Sequence, residues 1–519
     1  MQSTNNDKYI DRPFNIRPFV FWAFFAGITV VVCNFAYRSD NLWLVLVYFV
    51  ALLLMFSGLQ FLQTRTEDKV LQFLGTNRMF FCVTMILCIM VASSYAFTIL
   101  AHTNQRSYAG FGELDGVVER YRVNSEGGGH ILLSNANFDG SPVAGNVIIY
   151  VRNVGDTNWI TFDTFDRISV TTQLRKANPS DFNINNGIKY TSNIRDTDLI
   201  TFVGADNSLR SVVLRHTRNF FGMFMSENNA NLMYSMLFGD RSSLDGELQQ
   251  DFRLTGIAHI LAVSGLHVGL IVALLVLLCN WFKLNRKRQL FVILTVLIIY
   301  CYLCGFAYPI VRSSIMFGVF SIHRIFLRSS DMLSSLGLAA IVTLIIFPTA
   351  LFTVSFQMSF ACMLGIAFFR LPIYNTLAFV RVHWIRESLA LYICTTIITL
   401  SIMIKYFQMF SLVGLIANVF VVPLIILTFQ ASIIALATYI AFPLLWMTAP
   451  FLDFATAVTA WMAELPLAYI SITGGGGDWF LLYMLGLLFF TRHLFMRRNI
   501  KWTIGSILIA VYAVSVVLL

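Results

Sequence analysis

Two histidines, His259 and His267, lie eight residues apart in an apolar run, with a Ser264-Gly265 pair between them. The run is the second half of Gly239–Ile271, whose first half is polar and carries Asp240, Arg241 and Arg253. Ionisable side chains are costly in hydrocarbon, so such residues usually face protein or a water-filled path. Several kinds of chemistry compete for them. A zinc site needs three or four ligands, and two histidines with no nearby cysteine or clustered carboxylate supply only part of one. A Ser264 nucleophile served by His267 would make a membrane-embedded hydrolase, but no nucleophile elbow surrounds it and no orienting acid is evident. The remaining options are the wall of a transport path and hydrogen-bonded glue between helices. The transport wall is the preferred reading, with no catalytic residue, metal or cofactor expected.

The elements that must position these groups are set by composition. With 57% hydrophobic and 12% charged residues, the chain has too few polar groups to cover a soluble body of 519 residues. Apolar runs long enough to cross about 30 Å of hydrocarbon recur, and about thirteen spans are expected, the fourth over 256–282. The first run follows a polar head, lacks the cleavage site of a signal peptide and reads as a retained span. All eight cysteines fall inside apolar runs, Cys301 and Cys304 included, and read as packing residues.

The net charge of +9 dissolves on partition. With the N-terminus in the cytoplasm, nineteen Lys/Arg fall in cytoplasmic segments and three (Arg38, Arg312, Lys405) in outer loops or span ends. Region 104–255 holds fourteen Lys/Arg against seventeen Asp/Glu. The asymmetry orients the chain by the positive-inside rule. The basic total is therefore mostly topology and no evidence for nucleic acid.

After the third span the composition turns polar. Short alternating runs (145–152, 159–165, 209–214) are punctuated by turn residues and read as a small all-β barrel or sandwich of roughly 110 residues. From Thr217 the chain reads as helices in the outer interface or packed across the bundle. Ser242-x-x-Asp245 resembles a capping box at the start of an amphipathic helix. Treated as one helix, 256–282 places His267 and Ser264 at about 80° and about 140° from His259, on one polar arc. Gly265-x-x-x-Gly269 falls on another face and permits close helix approach.

Several separate blocks carry a resemblance. Gly239-Asp240-Arg241, Phe252–Leu270 (FRLTGIAHILAVSGLHVGL), Gly305–Met316 (GFAYPIVRSSIM), Ser355–Ser359 (SFQMS) and Lys405–Pro423 (KYFQMFSLVGLIANVFVVP) are similar to the signature of the ComEC family of bacterial competence proteins. The resemblance implies an inner-membrane channel that passes single-stranded transforming DNA to the cytoplasm, with an OB-like domain outside the membrane. It implies as partners a periplasmic DNA receptor, a cytoplasmic helicase or ATPase motor and a separate nuclease, besides membrane lipid. Many family members end in a metallo-β-lactamase-like domain; no His-x-His-x-Asp-His run and no Walker A pattern occurs in this sequence. The expected organisation is a three-span segment (1–103), a β-domain (104–216), interfacial helices (217–255) and a channel domain (256–519). Asp240, Arg241, Arg253, His259, Ser264, His267, Arg312, Gln357, Ser359, Lys405 and Asn418 are the candidate lining. Transport of another polyanion or a small solute is the alternative within the same class.

Overall fold

The computed structural model describes residues 18–63, 78–108, 110–123, 128–151, 162–194, 200–261, 263, 265–306, 308–326, 332–438, 443–472, 480–490 and 498–518. Ser264 lies outside the described residues. Three apolar helices open the chain: α1 (Pro18–Arg38), α2 (Trp43–Gln63) and α3 (Arg78–Thr103). A β-region follows with β1 (Gly112–Val123), β2 (Gly129–Phe138), β3 (Ser141–Pro142), β4 (Asn146–Val151), β5 (Asp166–Thr172) and β6 (Arg175–Lys176). The short helix α4 (Asp181–Asn185), β7 (Ile188–Ile194) and β8 (Ile200–Ala205) complete it.

The remainder is helical. It comprises α5 (Leu209–Gly222), α6 (Glu227–Phe238), α7 (Gly246–Leu254), α8 (Gly265–Trp281), α9 (Arg286–Leu303), α10 (Tyr308–Phe326), α11 (Met332–Ile346), α12 (Val354–Thr376) and α13 (His383–Phe407). After a short strand, β9 (Met409–Ser411), come α14 (Gly414–Thr438) and α15 (Pro443–Ala463). Strand β10 (Tyr469–Ser471) pairs with β9, and α16 (Phe480–Phe490) and α17 (Arg498–Leu518) follow.

Five of these helices are long and apolar enough to cross a membrane: α1, residues 80–103 of α3, residues 354–379 from α12 onward, α13 and α14. Shorter apolar helices lie among them, including residues 267–281 of α8. The chain is a mostly helical membrane protein with a separate β-sheet region. The helices α14 and α15 pack together.

In the β-region the strand order is β6-β7-β4-β2-β1-β5-β8, with β3 on β2. All pairs are antiparallel except β4–β7. Strand β7 alternates strictly, with Ile188, Tyr190, Ser192 and Ile194 buried, as a sheet with one dry face requires. Leu114, Val118, Ile131, Leu133, Ile149 and Val170 complete that dry face. The buried hydroxyls of Thr172 on β5 and Ser192 on β7 bond to one another, so the sheet curls until non-neighbouring strands meet. Residues 209–214, expected as a strand, form the first turns of α5. Ser208 caps that helix through a bond to the Ser211 N–H, and the apolar positions then repeat at helical spacing.

Polar bonds clamp the β-region onto the helices. Arg210 of α5 pairs with Glu119 of β1 at 3.3 Å and donates to the Leu303 carbonyl at the end of α9 at 3.1 Å. Gly305 makes room for that pair: its φ is +64° and an added Cβ would stand 2.7 Å from the Arg210 guanidinium. Arg218, also on α5, pairs with Asp163 and donates to Asn231 on α6. Asn185 and Thr349 exchange hydrogen bonds between α4 and the turn before α12. Of the two placements expected for the chain after Thr217, packing across the bundle is the one observed for α6, whose residues 229–238 are all buried.

Candidate nucleic-acid path

The stretch Gly239–Ile271 is not a helix leading into a helix. Helix α6 ends on Gly239, whose φ of +79° is the left-handed conformation that lets a chain leave a helix sharply. The expected Ser242-x-x-Asp245 box is replaced by another cap. Asp245 itself accepts from the Glu247 N–H at 3.1 Å, which frees Ser242. The Ser242 hydroxyl donates to Asp240 at 2.7 Å and accepts the Tyr121 N–H of β1 at 3.3 Å. Asp240 is therefore a buried brace between the loop and the β-region. Burial pushes its carboxyl above the usual range, against the two bonds from Ser242.

Helix α7 stops at Leu254, and the chain turns at Gly256 with a φ of +73°. It makes one 3-10 turn, Ala258–Ile260, before α8 starts at Gly265. The continuous fourth span over 256–282 is thus corrected: none of the described residues before Gly265 (256–261 and 263) is α-helical. The single polar arc drawn through His259, Ser264 and His267 falls with it, because 100° per residue applies only within a helix. Non-helical backbone at membrane depth is tolerated where it is buried in protein or lines a water-filled cavity.

A second break faces the first. Helix α13 ends on Gln408 in the left-handed region (φ +54°), β9 follows, and α14, after a first turn at Gly414–Ile416, passes into a π-helical segment at Ala417–Val421. Asn418, inside that segment, donates back to the Gly414 carbonyl at 2.7 Å. The two breaks touch: a Cβ on Gly256 would lie 2.9 Å from the Ser411 Cβ and 3.6 Å from the Gly414 Cα. Arg253 donates to the Phe407 carbonyl at 3.4 Å, two residues beyond Lys405.

At this junction Arg241 donates through Nε to the Leu261 carbonyl at 3.1 Å. Desolvation, with Arg120 and Arg122 of β1 next in effect, holds its guanidinium below the usual arginine range. Arg241 and His259 are exposed although protein surrounds both, as side chains on the wall of a recess are. His267 differs: it is buried, its ring edge-on to Phe429 of α14 at 4.7 Å.

Deeper, the glycine face of α8 packs as its spacing indicated. A Cβ on Gly265 would meet the Ser313 hydroxyl at 3.3 Å, and one on Gly269 would meet the Phe317 ring at 3.1 Å, both on α10. Next to Ser313 stands Arg312, only 4% exposed. Its Nη1 donates to the Ser355 carbonyl and its Nη2 to Ser313, each over a long 3.4 Å, and its guanidinium lies 5.6 Å from the Phe360 ring. The Nε is buried without a hydrogen-bond partner, and no carboxylate pairs with Arg312 among the described residues. Gln357 donates to the Leu351 carbonyl at 3.2 Å, while its buried Oε1 has no partner among the described residues. Ser359 is half-buried one residue before Phe360.

The candidate residues thus fall into two connected groups. Arg241, Arg253, His259, Lys405 and Asn418 surround the facing breaks, with Asp240 bracing them. Arg312, Gln357 and Ser359 lie beyond, reached through the Gly265–Ser313 contact, and His267 packs on α14. Neither Asp240 nor Asp251 forms an ion pair with Arg241 or Arg253 among the described residues. Sequence reasoning missed Arg120 and Arg122, which sit two apart on a strand and read as ordinary outward positions, and it missed the π-segment. No group of three potential metal ligands occurs among the described residues. Cys301 and Cys304 are free, buried, and donate to Ser314 and to the Leu237 carbonyl.

These features define a class: a helical membrane protein whose helices break around basic and hydrogen-bonding groups beneath a clamped β-region. Residues 236–498, just over half of the chain, match the model of the Competence protein family, and the chain belongs to that family. ComE operon protein 3 of Bacillus subtilis (strain 168) is 27% identical over 216 residues, covering 40% of this chain and 26% of that protein. The chain thus spans about a quarter of the length of the curated relative it matches. No solved structure matches it.

Proposed function

We propose that this chain is an inner-membrane channel that carries single-stranded transforming DNA into the cytoplasm during natural competence. Membership of the Competence protein family supports DNA uptake as the process. The observation that carries the mechanism is Arg312, a buried guanidinium held by a carbonyl and a hydroxyl with no carboxylate among the described residues. A phosphate leaving water needs compensating charge or hydrogen bonds. An arginine whose charge is not already cancelled supplies both. Arg241, Arg253, His259, Lys405 and Asn418 form the mouth, with Asp240 as its brace; His267, Gln357 and Ser359 extend the wall. Gln357, Ser359 and Asn418 offer hydrogen bonds without fixed charge, which favours passage over trapping.

In this reading the chain has about thirteen spans, a cytoplasmic N-terminus and a periplasmic β-domain. Its parts are 1–103, 104–216, 217–255 and 256–519. The curled sheet, with its long β1 shared between two pairings and its parallel β4–β7 pair, favours an OB-like assignment. Translocation involves no bond-making by this chain. A periplasmic receptor delivers DNA, a helicase or ATPase motor pulls it, and a separate nuclease removes the other strand. The test is a clean deletion scored for transformants and for labelled DNA held outside the inner membrane. Loss of transformants with DNA still taken up is expected, and normal transformation would overturn the proposal.

A further inference from the structure

We infer that Arg120, Arg122, His130 and Tyr150 on the outer face of the β-region, together with Arg241, form a docking strip for single-stranded nucleic acid ahead of the breaks. The inference rests on the channel reading and adds to it a binding surface of named residues. Register places three of them in one row: Arg122 of β1 is opposite His130 of β2, and His130 is opposite Tyr150 of β4. Arg120 is two residues along β1 from Arg122 and so shares its face. Arg120 and Arg122 are exposed, and Tyr150 is 39% exposed, with its ring centroid 6.5 Å from that of His130.

Charge decides which arginines are available. Among the described residues, three carboxylates of this region are committed to other arginines: Glu119 to Arg210, Asp115 to Arg167 and Asp163 to Arg218. Arg120, Arg122 and Arg241 form no ion pair among the described residues, and the Arg241 guanidinium is lowered by burial first and by the like charge of Arg120 and Arg122 next. Asp240 feels Arg120, but its bonds go to Ser242. His130 is held neutral-leaning by burial first and by Arg122 second, which suits a ring used for stacking rather than for charge.

Three arginines without an ion pair among the described residues, beside an exposed Tyr150 backed by the half-buried His130, match a strand with unstacked bases: phosphates on the arginines, a base on Tyr150. A duplex would offer the phosphates but hide its base faces, and lipid headgroups would need no aromatic pair. Through Arg241 the strip runs into the junction at Leu261.

The test uses the full chain in phosphatidylcholine nanodiscs and a labelled oligo-dT, read by anisotropy across salt. The double variant Arg120→Gln/Arg122→Gln should bind about 10-fold or more weakly and lower the log–log salt slope by roughly 1.4, for two phosphate contacts at about 0.7 each. Arg120→Lys/Arg122→Lys should restore the slope. Tyr150→Ala should lose about tenfold with the slope unchanged, and Tyr150→Phe should retain binding. An unchanged affinity or slope in the Gln/Gln variant, as for arginines that touch only lipid headgroups, overturns the strip. Scoring the same variants for transformation separates the two ideas. If the Gln/Gln variant binds and transforms as the parent does, the strip falls and the channel stands; if the clean deletion transforms normally, the channel falls.

Discussion

Arg218 is half-buried and Arg312 is buried, and the protein treats them in opposite ways. Where the β-region meets α5, arginines are cancelled: Arg218 meets Asp163, and Arg210 meets Glu119. Around the broken helices they are held by backbone instead: Arg241 by the Leu261 carbonyl, Arg253 by that of Phe407 and Arg312 by that of Ser355. A carboxylate satisfies the N–H groups and removes the charge. A carbonyl satisfies the N–H groups and leaves the charge. The first arrangement suits a clamp and the second suits a path for an anion, since a carboxylate on that path would repel what must pass.

The comparison breaks most readily at Arg312. Arg312→Met should reduce transformation about 100-fold or more, the equivalent of a lost charge-assisted contact of roughly 3 kcal/mol, while membrane accumulation stays normal. The thermal midpoint should hold or rise, because no carboxylate is orphaned when an uncompensated buried charge is removed. A fall in accumulation matching the fall in transformation would make Arg312 a structural residue. Gln357→Glu sharpens the same point by adding a carboxylate two residues past the carbonyl that Arg312 uses. Transformation should drop about tenfold or more with the protein still folded, and unimpaired transformation would show that cancelling this charge does not matter.

Next comes the seam between the breaks. Gly256→Ala demands a Cβ at a φ of +73° and at 2.9 Å from Ser411, and should cost about 2 kcal/mol in detergent unfolding. Gly265→Ala, with a 3.3 Å approach to a hydroxyl that can shift, should cost less. The reverse order would place the tighter contact at α8–α10. In the clamp, Arg218→Ala should cost only about 1 kcal/mol, since Asp163 is nearly half exposed and screened, and should leave DNA binding unchanged.

The smallest effect is at Asp240. Burial pushes its folded carboxyl above the ordinary aspartate value, so folding favours the protonated form. Stability from this group is therefore greatest below that value and falls as pH rises through the folded one. Asp240→Asn should remove that decline over the acid range and keep the brace through Ser242. A wild-type profile parallel to that of the variant would show that Asp240 does not titrate in this way.

Much of the site could be read early because the polar groups are conspicuous in an apolar chain. Arg312, Gln357, Asn418 and the Gly265/Gly269 face all stood out by type or spacing. The arc through His259 and His267 did not survive, because an apolar run reads the same whether or not its helix is continuous. Arg120 and Arg122 were overlooked for the converse reason: on a polar strand an exposed arginine is ordinary until its neighbours are known.

Residue order alone therefore determined the membrane class, the polar insertion after the third apolar helix and the blocks that hold the basic groups. These follow from local hydropathy, which needs no partner to be expressed. Tertiary structure decided where the helices break, that the two breaks face each other across Gly256 and Ser411, and which arginines keep their charge. Those outcomes depend on which carboxylate or carbonyl lies within about 3 Å of each guanidinium. That distance is set by segments as remote as Arg253 and Phe407, and only folding brings them together.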